Sequence, residues 1–279
     1  VVPLFSPVPG VVVSSWTTTA VIATLLAAVV FLRGTRAVAA TVVRIELTAV
    51  AVLAGWLGAK VGHVVLEATG HVLADGRVAR GIADLVADDP GHVLRLFDPG
   101  HVFYGGVLGA LIGVVAYARR ARLGSMVPIL DAAVPALAVG IAVGRCGCFL
   151  AGCCHGVTST VPWAVRYAPP HPTGGALVHP VQIYDAGVGL LLLGGWVVAC
   201  RRGLPAAVRV PALSAAYAVL RIATEALRGD GDRGMVGPLS TSQAISVIVL
   251  LVAVASGVRA SCAAGAGTLS THVTDRNLP

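Results

Sequence analysis

The chain has 279 residues, of which 56% are hydrophobic and only 12% charged, and its mean hydropathy is +0.85. So little polar material cannot cover a soluble fold of this length, and the composition is that of a membrane protein. The formal net charge of +7 does not indicate a nucleic-acid partner: the arginines flank apolar segments and form no stripe interleaved with aromatics, so membrane topology accounts for them.

Several apolar runs approach the roughly 20 residues that cross a ~30 Å hydrocarbon layer. The chain is therefore expected to be all-α and polytopic, with about seven transmembrane helices and two extramembrane loops on the outer face. Residues 1–10 carry Pro3, Pro7 and Pro9, cannot form regular helix, and are expected at the membrane surface. No basic stretch precedes the first apolar run and no small-residue cleavage site ends a short core, so a retained span is predicted from about Val11 to Leu32, stopping at Arg33-Gly34-Thr35-Arg36. The second span runs from about Thr41 to Leu66 and carries Glu46, Lys60 and His63. The stretch 67–100, with Asp88-Asp89-Pro90-Gly91, is too polar to span and reads as the first loop.

The third span, about His101 to Ala118, opens on a polar cluster and stops at Arg119-Arg120-Ala121-Arg122. The fourth, about Val127 to Leu150, holds Asp131 and Pro135 early. A second loop, 152–179, is rich in Pro, Gly and His, with a short strand predicted over Pro162 to Tyr167. The fifth span runs from about Pro180 to Ala199, the sixth from Pro211 to Leu227, and the seventh from Leu239 to Val258. Residues 1–260 then form one transmembrane domain, and 261–279 a disordered cytoplasmic tail. Arg33, Arg36, Arg44, Arg119, Arg120, Arg122, Arg201, Arg202, Arg209 and Arg259 all fall on one side, which is thereby the cytoplasmic one. The N-terminus is expected outside and the C-terminus inside. His101, Tyr104, His179, Arg228 and the cysteine-rich motif then gather at the outer leaflet.

That motif, Gly144-Arg145-Cys146-Gly147-Cys148-Phe149-Leu150-Ala151-Gly152-Cys153-Cys154-His155-Gly156, packs the most reactive groups of the chain together. An arginine within or at the edge of an apolar span is costly and marks a functional site, unless it snorkels to the interface. The glycines beside Arg145 would let a lipid head group or backbone approach closely. Arg221 and Glu225 lie one helical turn apart, which fits an intrahelical ion pair or a phosphate clamp that also uses Arg228, since the guanidinium fork matches phosphate oxygens. Tyr104-Gly105-Gly106, followed by Gly109 and Gly113, reads as a small-residue packing face or as an interfacial anchor, and His101 could serve as general base. His179-Pro180-Val181-Gln182-Ile183-Tyr184-Asp185 caps the fifth span with polar groups.

The cysteines leave three readings open. Thiolates and imidazole are zinc ligands, but C-x-C-x4-C-C-H is not a usual structural-zinc spacing, and two ligands per turn at a helix end seldom converge. An outer-face location permits a disulfide of Cys148 with Cys153 or Cys154, and small buried cysteines also serve as packing residues. No residue is assigned as a metal ligand and no cofactor is expected. Cys200 and Cys262 fall on the cytoplasmic side.

With these pieces in order, the chain resembles the prolipoprotein diacylglyceryl transferase family. The likeness is carried by Gly58-Ala59-Lys60-Val61-Gly62, by Asp98-Pro99-Gly100 with Tyr104-Gly105-Gly106-Val107-Leu108-Gly109, by Asp131, by the stretch from Gly144 to Gly156, by His179-Pro180 with Gln182 and Tyr184, and by Tyr217 with Arg221, Glu225 and Arg228. It implies a bacterial plasma-membrane enzyme that moves a diacylglyceryl group from phosphatidylglycerol to the lipobox cysteine of a preprolipoprotein, releasing glycerol phosphate. Its partners would be phosphatidylglycerol, the preprolipoprotein signal peptide and membrane lipids.

The resemblance implies that Arg145 and Arg221 hold the lipid phosphate and stabilise the leaving group, that Glu225 orients Arg221, and that a base near the outer leaflet takes the substrate thiol's proton. Tyr104 and His101 join the candidate catalytic residues. Lys60, Gly105, Gly106, Cys148, Gly156, His179, Tyr217 and Arg228 are candidate substrate-binding residues. The chain departs from the family pattern at Tyr104, where a histidine is common, at Cys148, Ala151 and Cys153 in place of asparagine and acidic residues, and at Ser15-Trp16-Thr17-Thr18, where the family places a tyrosine. With Tyr104 in that place, His101 or His155 would supply the base, or Tyr104 would orient the substrate. Two other functions fit the residues: a phosphatidylglycerol-using transferase with another acceptor, and a non-enzymatic metal or redox protein built on the cysteines.

Overall fold

A computed structural model of the chain describes residues 5–8, 11–13, 15–68, 102–231 and 234–274. His101, Asp98 and the expected loop beyond Ala68 lie outside these residues. The chain opens with a hairpin in which β1 (Phe5–Val8) pairs antiparallel with β2 (Val11–Val13). The first helix, α1 (Ser15–Gly34), thus begins later than the Val11 expected from hydropathy. Three consecutive valines take the extended conformation that β-branched side chains favour. A short 3₁₀ turn, Thr35–Ala37, leads to α2 (Thr41–Ala68).

Helix α3 (Phe103–Arg120) is followed by α4 (Val127–Ala151). The connection after α4 contains β3 (Val165–Arg166) and β4 (Leu177–Val178), paired antiparallel, so the strand expected near Tyr167 is present. Helix α5 (Val181–Arg201) and helix α6 (Ala206–Ala226) follow. Pro211 does not open α6 as expected from sequence but lies inside it. The helix starts instead after Pro205, whose carbonyl accepts from the N–H groups of Val208 (2.9 Å) and Arg209 (3.0 Å). A hairpin of β5 (Met235–Val236) and β6 (Leu239–Ser240) precedes α7 (Thr241–Thr274). That helix runs past Val258 into the stretch expected as a tail.

Among the described residues, six segments are long and apolar enough to cross a membrane: Ser15–Ala37, Thr41–His63, Val127–Ala151, Val181–Arg201, Ala206–Ala226 and Thr241–Cys262. Helix α3 has 18 residues, but Arg119 and Arg120 in its last turn dilute its apolar content. It packs along α2, while α1 packs on α4, α4 on α5, and α6 on α7. The α2–α3 crossing is made by glycines: a Cβ on Gly58 would lie 2.4 Å from the Gly105 carbonyl oxygen, and one on Gly109 would lie 2.3 Å from that of Ala54. Such close backbone approach is how membrane helices associate without a hydrophobic driving force.

Polarity is reversed relative to a soluble fold. Leu25, Leu53, Ile112, Leu191 and Leu251 face outward, whereas Asp131, Gln182, Asp185, Arg221 and Glu225 are buried. Hydrocarbon accepts the first set and not the second, so this is a multi-pass α-helical membrane protein. Phe31, Leu47, Val114, Ile129 and Ala132 form the apolar core around the start of α4. Beside it Asp131 accepts from Arg209 Nε (2.5 Å) and Trp196 Nε1 (3.1 Å), which ties α4, α5 and α6 together at that end.

Candidate active site: an arginine and carboxylate cluster at one end of the bundle

At the opposite end, α4, α5 and α6 each contribute to one buried polar centre. Asp185, in the second turn of α5, is its hub. Its Oδ2 accepts from Arg221 Nη1 at 2.9 Å and pairs with Arg145 Nε at 3.2 Å, and its Oδ1 accepts from the Thr224 hydroxyl at 2.6 Å. Glu225 Oε2 accepts from Arg221 Nη2 along the same face of α6 and pairs with Arg228 Nη1 at 3.4 Å. Arg228 Nε also donates to Asp230 Oδ1 at 2.9 Å. Asp185 and Glu225 are 3% and 1% exposed and Arg221 is 4% exposed. Charges this deep persist only when paired and hydrogen-bonded.

The three arginines differ in what they have left. Both terminal nitrogens of Arg221 are engaged, and so are the nitrogens of Arg228. Arg145 is held through Nε alone, and its two Nη groups make no hydrogen bond among the described residues. Burial by itself would lower the Arg228 pKa, but the hydrogen bond to Asp230 and the nearby Cys154 and Glu225 outweigh it and raise the pKa. Arg228 stays cationic throughout.

The connection after α4 closes this end. The Gly156 N–H donates to the His179 carbonyl at 3.0 Å, the Val157 N–H to that of Leu227 at 2.9 Å, and the Gly229 N–H to that of His155 at 3.0 Å. One strand-like segment thereby stitches the start of α5 to the end of α6. Only glycine fits at 156, because a Cβ there would meet His179 Cβ at 2.6 Å. His179 Nδ1 hydrogen-bonds the Tyr184 hydroxyl at 3.1 Å, and exposed Trp163 donates Nε1 to the same oxygen at 2.7 Å. Gln182, fully buried, donates Nε2 to the Cys153 carbonyl (2.7 Å) and the Tyr167 hydroxyl (3.0 Å). Its Oε1 has no hydrogen-bond partner among the described residues.

The cysteines converge. The sulfurs of Cys148, Cys153 and Cys154 lie within 4.8 Å of one another, and the described cysteines are unbridged. Helix α4 ends on Gly152 at φ 80°, and Cys154 itself takes φ 59°, so the chain folds its two vicinal thiols back over Cys148. Hydrogen bonds from Cys148 and Cys153, then the charges of Arg228 and Arg145, hold the Cys154 thiol well below its usual pKa. Hydrogen bonds to Cys148 and Cys154, then burial and the charge of those two neighbours, push the Cys153 thiol up. His171 stacks on Tyr167, with centroids 4.4 Å apart, and its Nε2 donates to the Gly152 carbonyl at 2.8 Å. His155 directs Nδ1 to the Gly156 carbonyl at 3.1 Å.

Of the residues singled out from sequence, Arg145, Arg221, Glu225, Arg228, Gly156, His179 and Cys148 meet at this end. Tyr217 lies one turn before Arg221 on α6, and its ring meets Phe103 at 6.2 Å. Tyr104 bonds Ser246 Oγ at 2.6 Å and so links α3 to α7. Gly105 and Gly106 sit in the α2–α3 crossing, where a Cβ would lie 2.5 Å from the Gly58 oxygen and 3.2 Å from that of Gly55, respectively. Lys60 is buried on α2 beside Ala59, whose carbonyl accepts from the Val102 N–H. The sequence marks Asp185 only as part of the polar cap of α5, although an acid in the second turn of an apolar helix is itself a signal. Its partners lie on helices distant in sequence, so its role became visible only in the fold.

Fold and site together define a multi-pass helical membrane protein with a guanidinium and carboxylate centre at the end of its bundle. The sequence profile of the prolipoprotein diacylglyceryl transferases matches residues 3–259, and the chain belongs to this family. It is similar to the phosphatidylglycerol–prolipoprotein diacylglyceryl transferase of Clostridium tetani, 35% identical over 164 residues, which are 58% of this chain and 65% of that protein. The enzyme of the same name from Geobacter sulfurreducens is 33% identical over 175 residues (60% of this chain, 65% of that protein). The one from Aromatoleum aromaticum is 38% identical over 176 residues (61% and 64%). The chain thus spans just under two thirds of the length of these relatives.

Proposed function

We propose that this protein transfers the diacylglyceryl group of phosphatidylglycerol to the lipobox cysteine thiol of preprolipoproteins. The observation that carries the reading is Arg145: Asp185 fixes it through Nε, and both Nη groups are left for a ligand. A guanidinium so presented matches two oxygens of a phosphodiester. Family membership and the printed activity of the relatives support the same substrate.

In this reading the substrate thiolate attacks the glyceryl carbon bonded to phosphate. A C–S bond forms, the C–O bond breaks, and its electron pair stays on the phosphate oxygen, so glycerol phosphate leaves with one more negative charge. Arg145 meets that charge directly, and Arg221 adds its field from behind. Asp185 and Glu225 are positioning residues that hold the two guanidiniums in place before substrate arrives. The nucleophile belongs to the substrate, whose thiol loses its proton at the same mouth.

The basic ends of α1, α3 and α5, with Arg259 near the end of the apolar span of α7, support a cytoplasmic location for the far end. On this reading the active site lies at the outer leaflet of the bacterial plasma membrane, with the N-terminus outside and the C-terminus inside. Expression in cells depleted of their own transferase tests the proposal. Diacylglyceryl-modified lipoprotein, identified by mass, is the expected result, and abundant membrane-inserted protein with unmodified lipoprotein would overturn it.

A further inference from the structure

The three thiols at the mouth take no part in the phosphate chemistry above, yet their placement is specific. We propose that Cys148, Cys153 and Cys154 form a three-thiolate zinc site whose open fourth position takes the acceptor's lipobox thiol. The sulfurs already lie within 4.8 Å of one another. Tetrahedral Zn–S bonds of about 2.3 Å set sulfurs about 3.8 Å apart, so closure needs about 1 Å, which side-chain rotation supplies. Three protein ligands with one open position is the arrangement of catalytic rather than structural zinc.

The backbone is arranged for this convergence. Vicinal cysteines beyond a helix end ordinarily point apart, and here two left-handed residues either side of Cys153, Gly152 at φ 80° and Cys154 at φ 59°, turn them back. Positive φ is uncommon for a residue with a Cβ, and the bonds of Gly156 and Val157 to His179 and Leu227 hold the segment in place. A disulfide would use two of the sulfurs and leave the third idle, whereas a soft divalent cation uses all three. Cys148 also follows Arg145 by three residues on α4, so the thiol-holding and phosphate-holding groups share one face, with Cβ atoms roughly 5–6 Å apart.

The chemistry balances without a redox partner. The acceptor thiol binds the metal and releases its proton to water, because a metal-bound thiol is deprotonated outright. The thiolate then forms the C–S bond as the C–O bond to phosphate breaks. Zinc keeps its oxidation state, and the alkylated sulfur, now a thioether and a poorer ligand, leaves the metal. Arg145 and Arg228 balance the negative charge of three thiolates on a divalent ion. The metal site itself stands independently, and its use of the lipobox thiol rests on the transferase reading.

Cobalt is the probe. Full-length protein, reduced and purified anaerobically in detergent, is titrated with Co²⁺. The expected result is a single equivalent bound, with thiolate-to-cobalt charge-transfer and tetrahedral d–d bands, displaced by Zn²⁺. The bands are lost in Cys148→Ser, Cys153→Ser and Cys154→Ser and kept in the Cys200→Ser and Cys262→Ser controls. A lipobox peptide with its cysteine shifts the d–d bands, and the Cys→Ser peptide does not. Absence of bands in folded wild-type protein overturns the proposal, whether its thiols titrate as free or as a disulfide. Bands that the cysteine peptide leaves unmoved also overturn it. A peptide-induced shift without lipid transfer sustains the site and sinks the transferase reading, and transfer by protein that binds no cobalt does the reverse.

Discussion

Asp185 is the residue whose loss separates positioning from simple packing. Its Oδ2 receives both Arg221 Nη1 and Arg145 Nε, and its Oδ1 receives Thr224. Replacing it by leucine removes one partner from a buried ion-pair network, a change that costs roughly 3–5 kcal/mol. Arg221 keeps Glu225, so the loss falls mainly on Arg145, whose only anchor among the described residues is Asp185. If that energy appears as lost transition-state stabilisation, the rate falls between about a hundredfold and several thousandfold, at about 1.36 kcal/mol per tenfold. Asp185→Asn keeps an oxygen toward the arginines and loses the charge, so the smaller loss of a charge-assisted hydrogen bond, roughly 1.5–3 kcal/mol, applies. Freed of its counter-charge, Arg145 should bind phosphate no more weakly, so kcat falls while KM for phosphatidylglycerol holds or drops. Proteoliposomes with a lipobox peptide, followed by mass spectrometry, measure both constants. Near-wild-type kcat in folded Asp185→Leu protein would refute the reasoning, and a rise in KM alone would show Asp185 to matter only for lipid binding.

Three further substitutions probe the surroundings. Gly156→Ala forces a Cβ into His179, 2.6 Å away, and should cost about 1–3 kcal/mol of stability, seen as a lower Tm in detergent; an unchanged Tm would mean that the stitch between α5 and α6 is dispensable. Arg209→Ala strips Asp131 of its guanidinium partner at the far end. Because Arg209 is partly exposed, the cost should fall near the low end of roughly 3–5 kcal/mol, with kcat of the surviving folded protein unchanged; a selective loss of kcat would tie that end to the chemistry. Ser246 donates its own proton to the Ser242 carbonyl, so the Tyr104 hydroxyl is the donor in their bond. Tyr104→Phe should then cost about 0.5–1.5 kcal/mol and leave transfer within a few fold, whereas a hundredfold loss at constant Tm would give that hydroxyl a chemical part.

What the sequence made legible follows from the physics of lipid. Hydrocarbon demands long apolar helices and penalises charge, so the spans and the intramembrane Arg145 and Arg221 stand out without any structure. The Arg221–Glu225 pair is equally legible, because residues four apart share a helix face. Asp185 was not, since its partners sit on α4 and α6 and no local spacing encodes that meeting. The cysteine spacing argued against convergence because it assumes a helix that continues, and left-handed Gly152 and Cys154 break that assumption. The start of α1 differs from the expectation because hydropathy does not distinguish a valine strand from a valine helix, and the start of α6 because Pro211 is tolerated inside it.

In the proposed reaction phosphatidylglycerol supplies the transferred group and Arg145 receives the developing charge. Proteoliposomes made with phosphatidylglycerol labelled in its head-group glycerol test both at once. Wild-type protein should release labelled glycerol phosphate in step with a diacylglyceryl mass gain on the lipobox cysteine, and inserted, folded Arg145→Ala protein should do neither. Peptide modification without glycerol phosphate release, or wild-type turnover by Arg145→Ala, would contradict the account.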